Sequence, residues 1–178
     1  MTFPQAHYAF EVPALAELAG ARTVTPGRML ALLREVRSGA RIATLAAAWD
    51  AGTIDRTTLA TAMKSVWHHG DGAVPFLEAT RPTWWRLFRA AAFARDGVHG
   101  EPPAAPVRLY RAAPEDRREG WSWTENPEFA KFFLRYFAGS VLWTCTVPPD
   151  RLLAAMTVNG ETEIIADVAG LDVRRAGP

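Results

Sequence analysis

The sequence has only one cysteine, Cys145, in a chain of 178 residues. A single cysteine excludes an internal disulfide bond, and a reducing compartment is the expected environment. The N-terminal stretch lacks a basic start followed by an apolar core, so we expect no secretory signal. No apolar run approaches the roughly 18 residues that suggest a membrane span. Together these absences predict a soluble, cytoplasmic protein.

A strong charge of either sign is also missing, because the formal net charge is +1 at pH 7. A dominant electrostatic attraction to nucleic acid or to a membrane is therefore not expected. The chain contains no G-x-G-x-x-G, Walker or HExxH motif that would compete with the motifs described below. Hydrophobic residues make up 49% of the sequence, which is enough to form a packed core.

Residues 1–100 are predicted to form a helical accessory region. Thr25 followed by Pro26 is typical of a helix start, and apolar residues then recur at helical spacing. The pattern indicates four helices, which run from Pro26 to about Val36, from Arg41 to Trp49, from about Asp55 to Trp67, and from about Pro82 to Gly97.

Two other interpretations of this region compete with a purely helical module. A helix-turn-helix over residues 42–63, with Gly52 in the turn, lacks the basic or amide-rich face that base readout requires. The adjacent histidines His68 and His69, followed by Asp71, lack a well-spaced third metal ligand. Histidines at a helix C-terminus are more simply explained by a solvated helix end with a favourable dipole. We therefore expect no metal ion and disfavour DNA binding.

Residues 97–106 contain two glycines and three prolines without periodicity, which is typical of a linker. Beyond it, residues 107–175 are predicted to form a mainly β core with a helix that opens at Asn126 and Pro127. Cys145 lies on the apolar face of a clear strand and is interpreted as a buried small hydrophobe. The predicted strands are Val107–Arg111, Trp121–Thr124, Val141–Val147 and Glu161–Val168, with a short crossing over Arg151–Met156. The fold class is therefore α+β, with the helical region packed on a split, mostly antiparallel β core.

Polar residues suited to chemistry stand on three of these strands. Arg111 ends the first strand, and Ser122 and Thr124 share one face of the second. Glu161 and Glu163 share one face of the last strand, about 7 Å apart from the strand rise.

This order of Arg, Ser-x-Thr and Glu-x-Glu resembles the R-S-E signature of the mono-ADP-ribosyltransferases, which transfer ADP-ribose from NAD. The resemblance covers about residues 107–173 and implies a minimal NAD-binding catalytic core with a β-sandwich of the ADP-ribosyltransferase type. It implies that Glu163 is the catalytic glutamate, that Glu161 is associated with transfer to arginine side chains, and that Ser122 supports catalysis. It also implies contacts with NAD from Arg111, Tyr110, Ser122, Trp123 and Thr124.

The chemistry of these residue types agrees with such a reaction. Breaking the nicotinamide–ribose bond creates positive charge on the ribose, which a carboxylate bound to the 2′-hydroxyl, here Glu163, can stabilise. A guanidinium such as that of Arg111 matches phosphate oxygens. A hydroxyl from Ser122 or Thr124 can fix the rotamer of the carboxylate, and Glu161 can orient or deprotonate the incoming nucleophile.

The sequence leaves other functions open. The same site could release ADP-ribose to water as an NAD glycohydrolase, or transfer it to a nucleic acid, although the near-neutral charge favours a protein acceptor. A non-catalytic protein-binding module would instead use the tryptophans as interface anchors. The helical spacing of Phe129, Phe133 and Tyr136 predicts core packing in preference to stacking on nicotinamide. A toxin, a phage-type effector or a resistance enzyme would each fit, with an inhibitor or antitoxin protein as a further partner.

Overall fold

The computed structural model describes residues 23–68, 74–136, 138–158 and 160–177, with the backbone alone at 74–79 and 158. The chain divides into two compact units, Met1–Ala91 and Ala92–Pro178. The described residues form five α-helices and two sheets whose strands are mostly antiparallel. The predicted α+β class is therefore confirmed. In the described part of the chain, no helix has both the length and the apolar character needed to cross a membrane.

The described helices of the first unit are α1 (Pro26–Glu35), α2 (Arg41–Asp50), α3 (Arg56–Val66) and α4 (Val74–Ala91). Local capping explains two of their starts, because the Thr25 hydroxyl accepts from the Arg28 amide at 3.4 Å. The Asp55 carboxylate likewise accepts from the Thr58 amide at 2.7 Å. The first three helices follow the sequence prediction closely. The sequence also predicts a helix break over His68–Gly72, which from position 69 onward lies outside the described residues.

The fourth helix differs from the prediction at both ends. Pro82 does not open the helix but lies inside α4, on an exposed position, where it removes one backbone donor. At the other end the helix stops at Ala91, and Ala92 adopts a positive φ of 58°. The predicted continuation to Gly97 is wrong, because Phe93 and Ala94 are buried and Phe93 belongs to the core of the second unit.

The second unit contains one helix, α5 (Pro127–Phe132), and eight strands within its described residues. The first sheet has the order β2-β1-β6-β7-β4 and the second has the order β3-β5-β8. All pairs are antiparallel except β1 with β6. The strands are β1 (Ala94–Arg95), β2 (Val98–His99), β3 (Val107–Ala113), β4 (Ser122–Trp123), β5 (Val141–Val147), β6 (Leu152–Val158), β7 (Glu161–Ala166) and β8 (Arg174–Arg175).

Strand β6 occupies a segment that the sequence predicted as a short crossing. Its residues pair in antiparallel fashion with β7 across a turn that contains Gly160, whose φ is 84°. A run of leucines, alanines and a methionine has no period-2 alternation, because this strand is buried at Leu152–Met156 without interruption. Its strand character therefore comes from pairing and not from local pattern.

The core of the second unit is built from the inner faces of both sheets. Leu109 and Val147 on the second sheet and Trp123 on the first belong to one buried cluster. Cys145 lies in the same cluster, and burial raises the pKa of its thiol above the ordinary value. The cysteine is therefore a small core residue, as the sequence predicted.

One short bridge joins the two sheets. The Tyr110 amide donates to the Thr124 carbonyl at 2.7 Å, and the Thr124 amide returns a bond to the Tyr110 carbonyl at 3.0 Å. Tyr110 precedes Arg111 on β3, and Thr124 follows β4. The bridge therefore brings the part of β3 next to Arg111 beside the Ser-x-Thr segment.

Candidate active site

The pairing of β4 with β7 brings the Ser-x-Thr segment beside the strand that carries Glu161 and Glu163. Ser122 lies opposite Ile165, and Trp123 lies opposite Ile164. Cross-strand partners point to the same face, and side chains alternate along a strand. Ser122 therefore shares one face of the sheet with Glu161 and Glu163, whereas Trp123 points to the other face.

Arg111 reaches this group from the second sheet. Its Nη1 donates to the Ser122 carbonyl at 2.8 Å, and its Nε donates to the Arg117 carbonyl at 3.4 Å. The side chain is half-buried, and the pKa of Arg111 is lowered to about 10, chiefly because burial strips water from the charge. The negative charge of Glu163 opposes this shift, and the positive charge of Arg117 adds to it. Arg111 and Glu163 are therefore electrostatically coupled.

The Arg111 guanidinium is held by backbone groups. The two oxygens that accept from Arg111 are uncharged backbone carbonyls, so they hold the guanidinium in place without cancelling its charge. A guanidinium that has lost part of its hydration gains more from a phosphate than an exposed one does. The role predicted for Arg111 in binding NAD stays a prediction.

Glycine at position 120 makes room for that guanidinium. A Cβ atom added to Gly120 would overlap Nη2 and Cζ of Arg111, and it would lie only 2.8 Å from Nε. Any side chain at this position must therefore push the guanidinium aside. Sequence reasoning missed this role, although the signal was present as a glycine two residues before Ser122.

We expect Gly120→Ala to weaken NAD binding by about tenfold or more, because it displaces a charged hydrogen-bonding group. The fold should be retained, since the far end of a flexible side chain can move. NAD titration followed by isothermal calorimetry measures the affinity, and thermal unfolding checks the fold.

Gly100→Ala is the matched control for this change, because an added Cβ at Gly100 meets nothing within 4 Å. The control should bind NAD like the wild type. An unchanged affinity in Gly120→Ala would contradict the proposed contact between Arg111 and NAD.

The two glutamates have different surroundings. Glu163 is half-buried and lies opposite the buried Met156 of β6. Glu161 accepts from Asn126, whose Nδ2 lies 3.2 Å from one carboxylate oxygen and 3.4 Å from the other. Asn126 was predicted only as the start of a helix, and its contact with Glu161 joins positions far apart in the sequence. Glu163 is thus the carboxylate whose charge acts on Arg111, whereas Glu161 is bonded to the neutral amide of Asn126.

Three residues predicted to contact NAD have other tasks in the structure. The Trp123 side chain is 2% exposed in the core, and its Nε1 donates to the Gly120 carbonyl at 2.6 Å. Thr124 is buried, and its hydroxyl accepts from the Asn126 amide at 3.1 Å. Tyr110 lies on the opposite face of β3 from Arg111, and the Arg108 guanidinium lies 5.6 Å from its ring centroid. The structure therefore bonds Arg111 to the Ser122 carbonyl and puts the side chains of Ser122, Glu161 and Glu163 on one face of the first sheet, and it directs the side chains of Trp123 and Tyr110 elsewhere.

The aromatic residues after Asn126 do not fill the core as their spacing predicted. Phe133 is 38% exposed and Tyr136 is 57% exposed, so the core prediction is wrong for these two side chains. The helical stripe ends early, because α5 is only six residues long and continues as a 3₁₀ turn over Phe133–Arg135. Phe133 packs edge to face on the half-buried Phe129, with 5.3 Å between the ring centroids, so these rings contact one another at the surface.

Among the described residues, no group of three or more histidine, cysteine, aspartate or glutamate side chains could hold a metal ion. Comparison with protein-family models, with curated proteins and with solved structures finds no match for this chain. The function must therefore be inferred from the site itself.

Proposed function

We propose that this chain is a mono-ADP-ribosyltransferase that moves ADP-ribose from NAD to a macromolecular acceptor. The favoured acceptor is a protein side chain, with arginine foremost. One observation carries the proposal, namely that the Arg111 guanidinium is hydrogen-bonded to the Ser122 carbonyl and electrostatically coupled to Glu163. A guanidinium suited to an anion and a carboxylate from a separate strand thus act on each other electrostatically, and their order along the chain is the one expected of the R-S-E class.

Arg111 would hold the pyrophosphate of NAD. Its planar donors match phosphate oxygens, and its partial desolvation strengthens the electrostatic attraction to an anion. Arg117, whose carbonyl accepts from Arg111, adds positive charge nearby. Both features favour a substrate with a diphosphate over a neutral nucleoside.

Glu163 would act on the ribose next to nicotinamide. The bond between the ribose C1′ and the pyridinium nitrogen breaks, and its electron pair leaves with nicotinamide, which becomes neutral. The ribose gains positive charge as this happens, and a carboxylate that accepts from the 2′-hydroxyl stabilises it. Ser122 lies on the same face of the sheet and would orient that carboxylate.

Glu161 would serve the acceptor. A guanidine nitrogen of the acceptor forms the new bond to C1′, and the proton that it loses passes to the Glu161 carboxylate. The separation between the two glutamates on one strand face, about 7 Å, leaves space for the reacting atoms between them. Two carboxylates with different partners fit two different tasks in one reaction.

Two further observations support this class and a macromolecular acceptor. The second unit has two mostly antiparallel sheets that meet at the Tyr110–Thr124 bridge, beside Arg111, which agrees with the split β core of the ADP-ribosyltransferase type. The helix that begins at Asn126 also leads into the exposed side chains of Phe132, Phe133 and Tyr136. Exposed aromatic groups next to a site are typical of surfaces that a macromolecule covers.

Incubation of the purified protein with NAD labelled in its adenylate part and with cell lysates tests the proposal. We expect nicotinamide to be released and the label to appear on discrete protein bands, with the modified residue located by mass spectrometry. Release of nicotinamide without incorporation would favour an NAD glycohydrolase, and label in the nuclease-sensitive fraction would favour a nucleic-acid acceptor. Folded protein that never consumes NAD would favour a non-catalytic binding module.

A further inference from the structure

Asn126 connects the helix α5 with one carboxylate of the candidate site. Its Oδ1 accepts from the amides of Glu128 at 3.0 Å and Phe129 at 3.2 Å, which is the bonding of a helix N-cap. Because the amide oxygen is committed to the helix, the amide nitrogen must point the other way. Nδ2 points at Glu161 and lies within hydrogen-bonding distance of both carboxylate oxygens.

The backbone of Asn126 is fixed as well. Its amide donates to the Thr124 hydroxyl at 3.1 Å, and Thr124 is bonded in both directions to Tyr110. Tyr110 immediately precedes Arg111 on β3. A continuous set of hydrogen bonds therefore runs from the strand that carries Arg111, through Thr124 and Asn126, to Glu161.

We propose that Asn126 is a positioning residue that holds the Glu161 carboxylate in the orientation needed to accept the acceptor's proton. This inference rests on the proposed function. The reaction is the one described above, in which C1′ exchanges its bond to nicotinamide for a bond to the acceptor nitrogen and Glu161 takes the proton.

A neutral amide is well suited to this task. An arginine or lysine at the same place would pair with Glu161 by charge and make it a weaker proton acceptor. Asn126 offers one NH₂ group to two oxygens at 3.2 and 3.4 Å, so further acceptor capacity remains on the carboxylate. The glutamate is oriented, and it is still able to bond with a substrate nitrogen.

The helix cap offers a substitution that separates positioning from folding. Asn126→Asp keeps an oxygen that caps the helix equally well, but it replaces the donor by a second negative charge beside Glu161. Asn126→Ser also keeps a capping oxygen and removes the donor without adding charge. Asp55→Asn is the matched control, because it makes the reverse exchange between carboxylate and amide at the N-cap of α3 in the first unit.

We expect Asn126→Asp to reduce the transfer of ADP-ribose to an arginine acceptor by about tenfold or more at pH 7. Nicotinamide release in the absence of an acceptor should change by less than about threefold. The acid limb of the transfer rate should move to higher pH, since the added carboxylate opposes ionisation of Glu161. Asn126→Ser should reduce transfer without moving that limb. Asp55→Asn should match the wild type in both reactions.

Combination with Glu161→Gln completes the test. If Asn126 acts through Glu161, then Asn126→Asp in the Glu161→Gln background should cause no further loss of transfer and no shift in the pH profile. Equal losses of transfer and nicotinamide release in Asn126→Asp, or additive losses in the double variant, would overturn the inference and leave Asn126 as a helix cap alone. A wild type that consumes no NAD would instead overturn the proposed function, and with it this role of Asn126.

Discussion

Glu163→Gln is expected to lower the rate of NAD turnover by about 10² to 10³-fold with little loss of NAD affinity, because a neutral amide cannot stabilise positive charge on the ribose. The substitution keeps the size and shape of the side chain, so the effect should fall on the chemical step. Nicotinamide release and label incorporation should fall together, since both follow the breaking of the same bond. Rates of both reactions at saturating NAD measure this effect.

The charge coupling with Arg111 gives this variant a second signature. Burial lowers the pKa of Arg111 to about 10, and the negative charge of Glu163 opposes part of this lowering. Removing the Glu163 charge therefore lowers the pKa of Arg111 further. NAD binding should then weaken at a lower alkaline pH in Glu163→Gln than in the wild type, while binding at pH 7 is nearly preserved.

Glu125→Gln is the matched control, because it makes the same chemical change on an exposed residue next to Thr124. It should leave turnover and the alkaline dependence of binding unchanged. If Glu163→Gln kept wild-type nicotinamide release, the carboxylate would have no part in breaking the glycosidic bond, and the proposed function would fail.

The second large effect is expected for Arg111→Lys, which should weaken NAD binding by about 10 to 100-fold although the formal charge is kept. A single ammonium group cannot replace the two donors that reach the carbonyls of Ser122 and Arg117. Burial already lowers the pKa of Arg111 to about 10, and lysine loses its proton more readily than arginine in such a place. The variant should also unfold at a lower temperature.

Arg108→Lys is the control on the same strand. Arg108 is exposed, and its Nε donates to the Thr144 hydroxyl at 3.3 Å on the opposite face of β3. It should bind NAD as the wild type does. Wild-type affinity in Arg111→Lys, together with a lowered unfolding temperature, would assign Arg111 a purely structural role.

The pH dependence of the wild type follows from the same group. Burial lowers the pKa of Arg111 in the folded chain from its ordinary value to about 10. NAD affinity should therefore decline above about pH 10, more than two units below the range in which an exposed arginine would lose its charge.

Several features of the fold could be predicted because local chemistry decides them. Thr25 and Asp55 begin helices through bonds to amides three residues ahead, and no distant residue is needed. The strand pattern around Cys145 likewise predicts a buried small hydrophobe, and Cys145 lies in the core. Elements whose nature depends on a distant partner were missed. β6 is a strand because β7 pairs with it, and α4 continues through Pro82 although the proline removes one backbone donor.

The order of residues along the chain fixes which chemical groups are available on each strand. Arginine, hydroxyl and carboxylate residues stand at predictable positions because side chains alternate along a strand. Contacts between these groups depend on the tertiary fold. Gly120 accommodates Arg111, and Asn126 bonds to Glu161, through contacts that depend on how strands distant in the sequence pair and bury one another. Pairing of this kind is governed by the shared core and by backbone hydrogen bonds, which no local pattern encodes.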